Sequence, residues 1–323
     1  MIKRLLLAAM TTALGLMTTA PVRAQTYPDR PIKVIVPFAA GGTTDVVGRV
    51  IGAKLAELLG QPVVIDNRGG AGTIIGTGAL AKSAPDGYTI MLTTPDFTIN
   101  PSLHSQLPYQ TPADFTAISL FATYPLVLVV NAKQGITSVK DLIAKARANP
   151  GQINYASGGN GSIQHLCTAM LANMARLNIT HIPYKGGGPA ITDLLAGRVS
   201  LLCTGAPPVE AYVKSGKLRI LAVSTAQRHP AMPDVASIAE SGVPGYDVQA
   251  WLGFIGPAGM PKVVVEKLNA AIAETMRDPT VRKNLSILGA DLRASTPQAF
   301  DTLIRNEIAK WRQVIQSAGI VTQ

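Results

Sequence analysis

The sequence is poor in the residues that metal binding and catalysis draw on. Its 323 residues include two cysteines and four histidines. His104, His165, His181 and His229 show no H-x-x-x-H spacing and no Cys/His ligand pattern, so no metal site and no cofactor is expected. No G-x-S-x-G elbow is present. Charged residues are 15% and aromatics 5%, and the 29 Lys and Arg are scattered without a dense basic run or aromatic interleaving. A net charge of +10 distributed in that way argues against nucleic acid as the partner. Long apolar runs are also missing. The one candidate, Leu5 to Leu16, is diluted by Thr11 and Thr12 and falls short of the ~20 residues a spanning helix needs.

That short run has another use. Lys3 and Arg4 precede it and Val22-Arg23-Ala24 follows, which is the layout of an export leader cut after Ala24. Residues 1–24 are therefore set aside, and the loss of Lys3, Arg4 and Arg23 lowers the net charge to +7. A periplasmic location is expected, with a mature protein that is not inserted in the membrane and that works as a monomer. Export permits a disulfide between Cys167 and Cys203. Two buried thiols fit as well, Cys167 lying in a helical apolar pattern and Cys203 in a strand.

What the chain does have is one pattern twice: an apolar strand running into a glycine-rich turn that opens a helix. Ile32–Val36 leads into Pro37-Phe38-Ala39-Ala40-Gly41-Gly42-Thr43-Thr44-Asp45, and Ile153–Ala156 into Ser157-Gly158-Gly159-Asn160-Gly161-Ser162. Such turns leave backbone N–H groups unpaired at a helix N-terminus, where a carboxylate or phosphate is attracted. Two facing turns would clamp a small anion. The first turn lacks both G-x-G-x-x-G and a following Lys-Ser/Thr, so it is neither a dinucleotide fingerprint nor a P-loop. In the second, Ser162 is the expected N-cap, with Ile163, Leu166, Met170 and Met174 as the buried stripe. Tyr184-Lys185-Gly186-Gly187-Gly188 is a third glycine run at a strand end, read equally as part of the cleft or as a loop.

Strands and helices alternate along the chain, which implies α/β architecture with mostly parallel sheets. Two stretches, Phe115–Val130 broken by Pro125 and Arg219–Thr225, suit strands that pass between domains. The expected division is a discontinuous first lobe, 25–122 with 226–323, and a second lobe, 123–225, hinged around a cleft.

The motifs resemble those of the Bug-type solute receptors of tripartite tricarboxylate transporters. Residues 37–45 match P-F-x-x-G-G-x-x-D, with Ala39-Ala40 where prolines are frequent. Asp66-Asn67-Arg68-Gly69-Gly70-Ala71-Gly72, Pro85-Asp86-Gly87-Tyr88, Asn100-Pro101-Ser102-Leu103, Pro183-Tyr184-Lys185-Gly186, Asp193-Leu194-Leu195-Ala196-Gly197 and Trp251-Leu252-Gly253 follow in the expected order. The resemblance implies a type II Venus-flytrap fold that captures a small carboxylate and delivers it to membrane transporter subunits, without catalysis. It implies ligand contacts from Phe38, Gly41, Gly42, Thr43 and Asp45 on one side and Ser157, Gly158, Gly161 and Ser162 on the other, with Ala71 and Gly72 as the floor. Members often carry an acid where Thr204 stands here. Thr204 in that place implies an uncharged or purely anionic far end of the ligand. Two alternatives are a sensor reporting to a signalling partner, and a secreted hydrolase using Ser162 or Ser157 with His165.

Overall fold

A computed structural model describes residues 27–286 and 289–317; the leader lies outside the described residues. The chain forms two lobes, each built around one sheet. The first sheet uses β1 (Ile32–Val36), β2 (Val63–Asn67), β3 (Thr89–Thr93), β4 (Phe115–Pro125), β10 (Gln249–Pro257) and β11 (Asp291–Leu292), in the order β11-β4-β10-β3-β1-β2. The second uses β5 (Val127–Asn131), β6 (Asn154–Ser157), β7 (Thr180–Pro183), β8 (Leu201–Thr204) and β9 (Leu218–Val223), in the order β7-β6-β8-β5-β9.

Apart from the edge strand β11, the two orders are the same: second, first, third, visitor, fourth. The visitor is the strand arriving from the other lobe, β10 in one sheet and β5 in the other. Each visitor pairs antiparallel with both neighbours, while β1 with β2 and β3, and β6 with β7 and β8, pair in parallel. The sheets are therefore mixed, which corrects the expectation of mostly parallel sheets. Alternating strands and helices give the parallel part; a strand entering from a second lobe has no crossover helix to set its direction.

Helix α1 (Thr43–Leu59) shows how a site-bearing helix is seated. Val47, Ile51 and Leu55 repeat at i, i+4 and i+8 and are buried. Gly48 and Gly52 let the helix lie close on the sheet, since a Cβ on Gly48 would come within 3.2 Å of Leu92 and 3.4 Å of Val36. Gly60 ends it in the left-handed region, its N–H bonded to Ala56 O. The helices that follow along the chain are α2 (Ile74–Ala81), α3 (Asp96–Leu103), α4 (Val139–Ala148), α5 (Ile163–Ala175), α6 (Gly187–Leu195) and α7 (Glu210–Lys214). Helices α8 (Lys262–Thr275), α9 (Pro279–Asn284) and α10 (Pro297–Ser317) follow β10; α8 and α10 pack on β4.

The chain passes between the sheets at two places that touch. Leu126 alone separates β4 from β5, and Ser224 follows β9. Leu126 N–H donates to Ser224 Oγ at 2.9 Å, Ser224 N–H donates to Leu126 O at 2.9 Å, and Ser224 Oγ donates to Val248 O at 2.7 Å. One fully buried serine thus ties the outgoing crossing, the returning crossing and the lead into β10.

A disulfide joins Cys167 of α5 to Cys203 of β8, with the Cα atoms 6.4 Å apart. The α5 stripe is Ile163, Leu166, Cys167 and Leu171, whereas Met174 is 38% exposed, contrary to expectation. The buried face, with Cys167 on it, lies round from the pattern read off the sequence.

Candidate functional site

The β1–α1 turn is held by its own acid. Asp45 Oδ2 accepts from Gly41 N–H at 2.9 Å, and its carboxylate is gripped by Arg49 four residues on. Burial alone would raise this carboxyl, but hydrogen bonds from Arg49, Gly41 and Asn67 outweigh it and hold it below the ordinary carboxylate range. Gly42 is the N-cap residue, and no side chain caps α1. Its first-turn amides are therefore left to the cleft side.

The β6–α5 turn is built from side chains. Ser162 Oγ accepts from His165 N–H at 3.1 Å, which is the expected N-cap. Ser157 is fully buried; its Oγ donates to Gly159 O, accepts from Gly159 N–H, and lies 2.6 Å from His181 Nε2. His165 Nδ1 accepts from Gly161 N–H, and its ring stacks on His181 with centroids 4.0 Å apart, Tyr155 completing the stack. Burial lowers His165 to about 4, and burial with the neighbouring His165 lowers His181 to about 3. Both rings are neutral at pH 7. In this arrangement the Ser162 hydroxyl is engaged by the His165 backbone amide and not by its ring, and Ser157 with His181 sits behind the turn.

Glycines let the two lobes meet backbone to backbone. Ala39 N–H donates to Lys185 O at 2.8 Å across the cleft. A Cβ on Gly188 would fall 2.0 Å from Ala40 O, and one on Gly205 2.6 Å from Thr43 Cγ2. The Phe38 ring lies beside Gly158. Thr43 Oγ1 and Thr204 Oγ1 are 3.5 Å apart, and Gln164 Nε2 donates to Thr204 Oγ1 at 3.3 Å.

Behind this contact lies a cavity of about 20 Å³, room for about one water. Four helix starts converge on it: Gly42 and Thr43 of α1, Ser162 and Ile163 of α5, Gly187 of α6, and Asp96 of α3. Such a convergence of positive helix ends in a poorly solvated space favours an anion.

Of the residues singled out from sequence, Phe38, Gly42, Thr43 and Ser162 line this cavity. Thr204 lies against Thr43 and Gln164, and Gly158 against Phe38. Gly41, Asp45 and Ser157 turn inward to brace their own turns. Gly161 faces Leu103 and Asn100. Ala71 and Gly72 line a separate hollow of about 560 Å³ with His104, Asn160 and Lys185. Sequence reading missed Thr94, Asp96, Tyr124 and Gln164. The first two lie on a third strand-to-helix turn, β3 to α3, which carries no glycine run; its position at the end of a parallel strand was the available signal.

Among the described residues no group of three or more His, Cys, Asp or Glu could hold a metal ion, and no helix is long and apolar enough to cross a membrane. Residues 47–320 match the model of the tripartite tricarboxylate transporter family receptor. The chain is 39% identical to protein BugT of Bordetella pertussis over 302 residues, 93% of each chain. It superposes on the periplasmic binding protein BugD with a TM-score of 0.88 at 35% identity, covering 92% of this chain and 100% of that one. On the R. palustris protein Rpa4515, solved with adipate, the TM-score is 0.87 at 37% identity, covering 91% and 99%.

Proposed function

We propose that this chain, which belongs to the tripartite tricarboxylate transporter receptor family, captures a small carboxylate between its lobes in the periplasm. The observation that carries this is the meeting of helix starts from both lobes on one cavity. A carboxylate there accepts hydrogen bonds from first-turn amides of α1 and α5. Each charge-assisted bond contributes about 1.5–3 kcal/mol, and each helix end adds about 0.3–1 kcal/mol. The site binds an anion without poising a nucleophile, so the chain acts as a receptor and not as an enzyme. The adipate held by Rpa4515 supports the ligand class.

In this reading the chain divides near residues 123 and 226, with Leu126 and Ser224 at the hinge, and the lobes part to admit ligand. The leader is removed after Ala24, and the liganded form, a monomer, passes its cargo to membrane transporter subunits. Phe38, Gly42, Thr43 and Ser162 touch the ligand; Gly41, Asp45, Ser157, Gly158, Gly161 and Thr204 shape the turns that do, while Ala71 and Gly72 border the approach.

The test is a thermal-shift and calorimetric screen of refolded protein from Gln25 on, against mono-, di- and tricarboxylates and phosphate esters. A carboxylate at one hundred times its Kd adds about 2.7 kcal/mol, a shift of several degrees. A shift with phosphate esters alone would keep the anion site and discard the carboxylate. Silence across the panel would remove the proposal.

A further inference from the structure

Among the described residues, the only charged side chain that lines the cavity comes from neither glycine turn. Asp96 opens α3 and is fully buried. Its Oδ2 accepts a 2.7 Å hydrogen bond from Thr94 Oγ1; its Oδ1 accepts no well-formed hydrogen bond, the amides of Asp96 and Ile163 lying only near enough to the carboxylate to favour its charge. A second acceptor of the lining, Gln164 Oε1, is also buried and unpartnered, the Nε2 of that amide being used on Thr204. Among the described residues no Lys, Arg or His is present in the lining. The cavity thus offers helix-end amides for an anion and, beside them, two acceptors that need a donor.

We propose that Asp96 selects among carboxylates by accepting a hydrogen bond from an N–H or O–H group that the ligand carries beside its carboxylate. On this account, which rests on the carboxylate reading above, amino or hydroxy acids are preferred over plain dicarboxylates. A zwitterionic or hydroxylated ligand satisfies both halves of the cavity. At neutral pH a plain dicarboxylate brings only acceptors and sets like charge beside Asp96. A site built around a donor rejects the analogue lacking it far more strongly than an apolar pocket rejects a missing methylene.

The surroundings of Asp96 agree. Burial raises its carboxyl to about 6, against the lowering effect of Thr94 and of the Asp96 and Ile163 amides. Tyr124, the other ionisable group in the lining, is raised by its own burial and by Asp96 and so stays a neutral phenol. A ligand ammonium or hydroxyl would supply what the protein withholds. The sequence pointed the other way because the acid was sought at Thr204; here it comes from α3.

The experiment is calorimetry at pH 7.5 with matched series of three to five carbons: propionate, lactate and alanine; succinate, malate and aspartate; glutarate, 2-hydroxyglutarate and glutamate. The wild type is expected to bind an amino or hydroxy member at least ~10-fold tighter than its plain analogue. D96N and D96A should each narrow that ratio to about threefold or less, and either folded variant suffices. An amino preference identifies an ammonium donor and a hydroxy preference a hydroxyl; both support the proposal. Equal or tighter binding of the plain acid by the wild type, or a preference unchanged in the variants, would overturn it. So would dicarboxylate binding that strengthens from pH 7.5 to 5.5 in the wild type and not in D96N, because Asp96 would then act as a protonated donor. If no carboxylate of any kind binds, the functional reading fails and takes this one with it, which is a separate outcome.

Discussion

The two glycine turns look alike in sequence and are held in opposite ways. The β1–α1 turn is braced by a charge: Asp45 folds back on Gly41 and Arg49, and no side chain caps the helix. The β6–α5 turn is braced by neutral groups, with Ser162 as cap and Ser157, His181 and His165 stacked behind it. A capping side chain uses one of the helix's free amides, whereas a brace from behind leaves them all. The first turn therefore offers more donors to an anion. The second offers a stiffer wall, further fixed by the Cys167–Cys203 bridge one turn along α5.

The largest effect should come from breaking the contact between lobes while leaving each intact. Gly188 has an ordinary backbone conformation inside α6, so G188A costs its own lobe little. Its new Cβ would sit 2.0 Å from Ala40 O across the cleft. Carboxylate affinity should fall by about 100-fold, which is about 2.7 kcal/mol, with the melting temperature of the ligand-free protein nearly unchanged. Solution scattering should show the variant open even with ligand in excess. A variant that closes and binds normally would mean the lobes do not meet through these glycines.

Acid should separate the two turns next. His165 and His181 are lowered to about 4 and about 3, so the unfolded chain binds more protons between those values and the ordinary 6.5. Stability is then unaffected above about 6.5 and falls as pH drops towards 4. The loss between pH 7 and 5 should be on the order of 2 kcal/mol for each histidine in urea melts, and H165F with H181F, if folded, should flatten it. Asp45 behaves differently. Its carboxyl is lowered, so its contribution holds above the unfolded pKa near 3.9 and goes only as pH falls through the lower folded value. Hydrogen exchange at pH 5 should thus loosen α5 before α1. Loss of both together would contradict the distinction.

The smallest effect belongs to the cap. S162A should cost about 1 kcal/mol, the ordinary value for a lost N-cap, and should be read in α5 alone. A cost near zero would mean that the histidine stack and the disulfide already fix the helix start.

Local signals in the sequence were enough for most elements. Ile32–Val36 falls where the apolar run places it, Ser162 caps α5 as its place in the turn implies, and Pro125 does mark the end of β4. Partner choice was not legible. That β10 and β5 run antiparallel depends on chain arriving from the other lobe, and no residue within those strands encodes it. The same limit hid part of the cleft. Gly42 and Thr43 were visible as a turn, but Asp96 and Gln164 gain meaning only when four elements far apart in sequence meet. Asp45 shows the reverse: a conspicuous acid in a conspicuous motif, whose partners are all in or beside its own turn.

Ser224 has a consequence for how the proposed receptor would close. Because it ties Leu126 to Val248, the two passages between lobes cannot slide past one another without breaking four hydrogen bonds. The opening proposed for the receptor is thereby held close to a single rotation. A six-dimensional docking problem, three shifts and three turns of one half against the other, is thereby reduced to about one angle. The glycine surfaces need no search to find their register, and most of the ordering entropy of closure is met once, when the chain folds, and not again at each encounter.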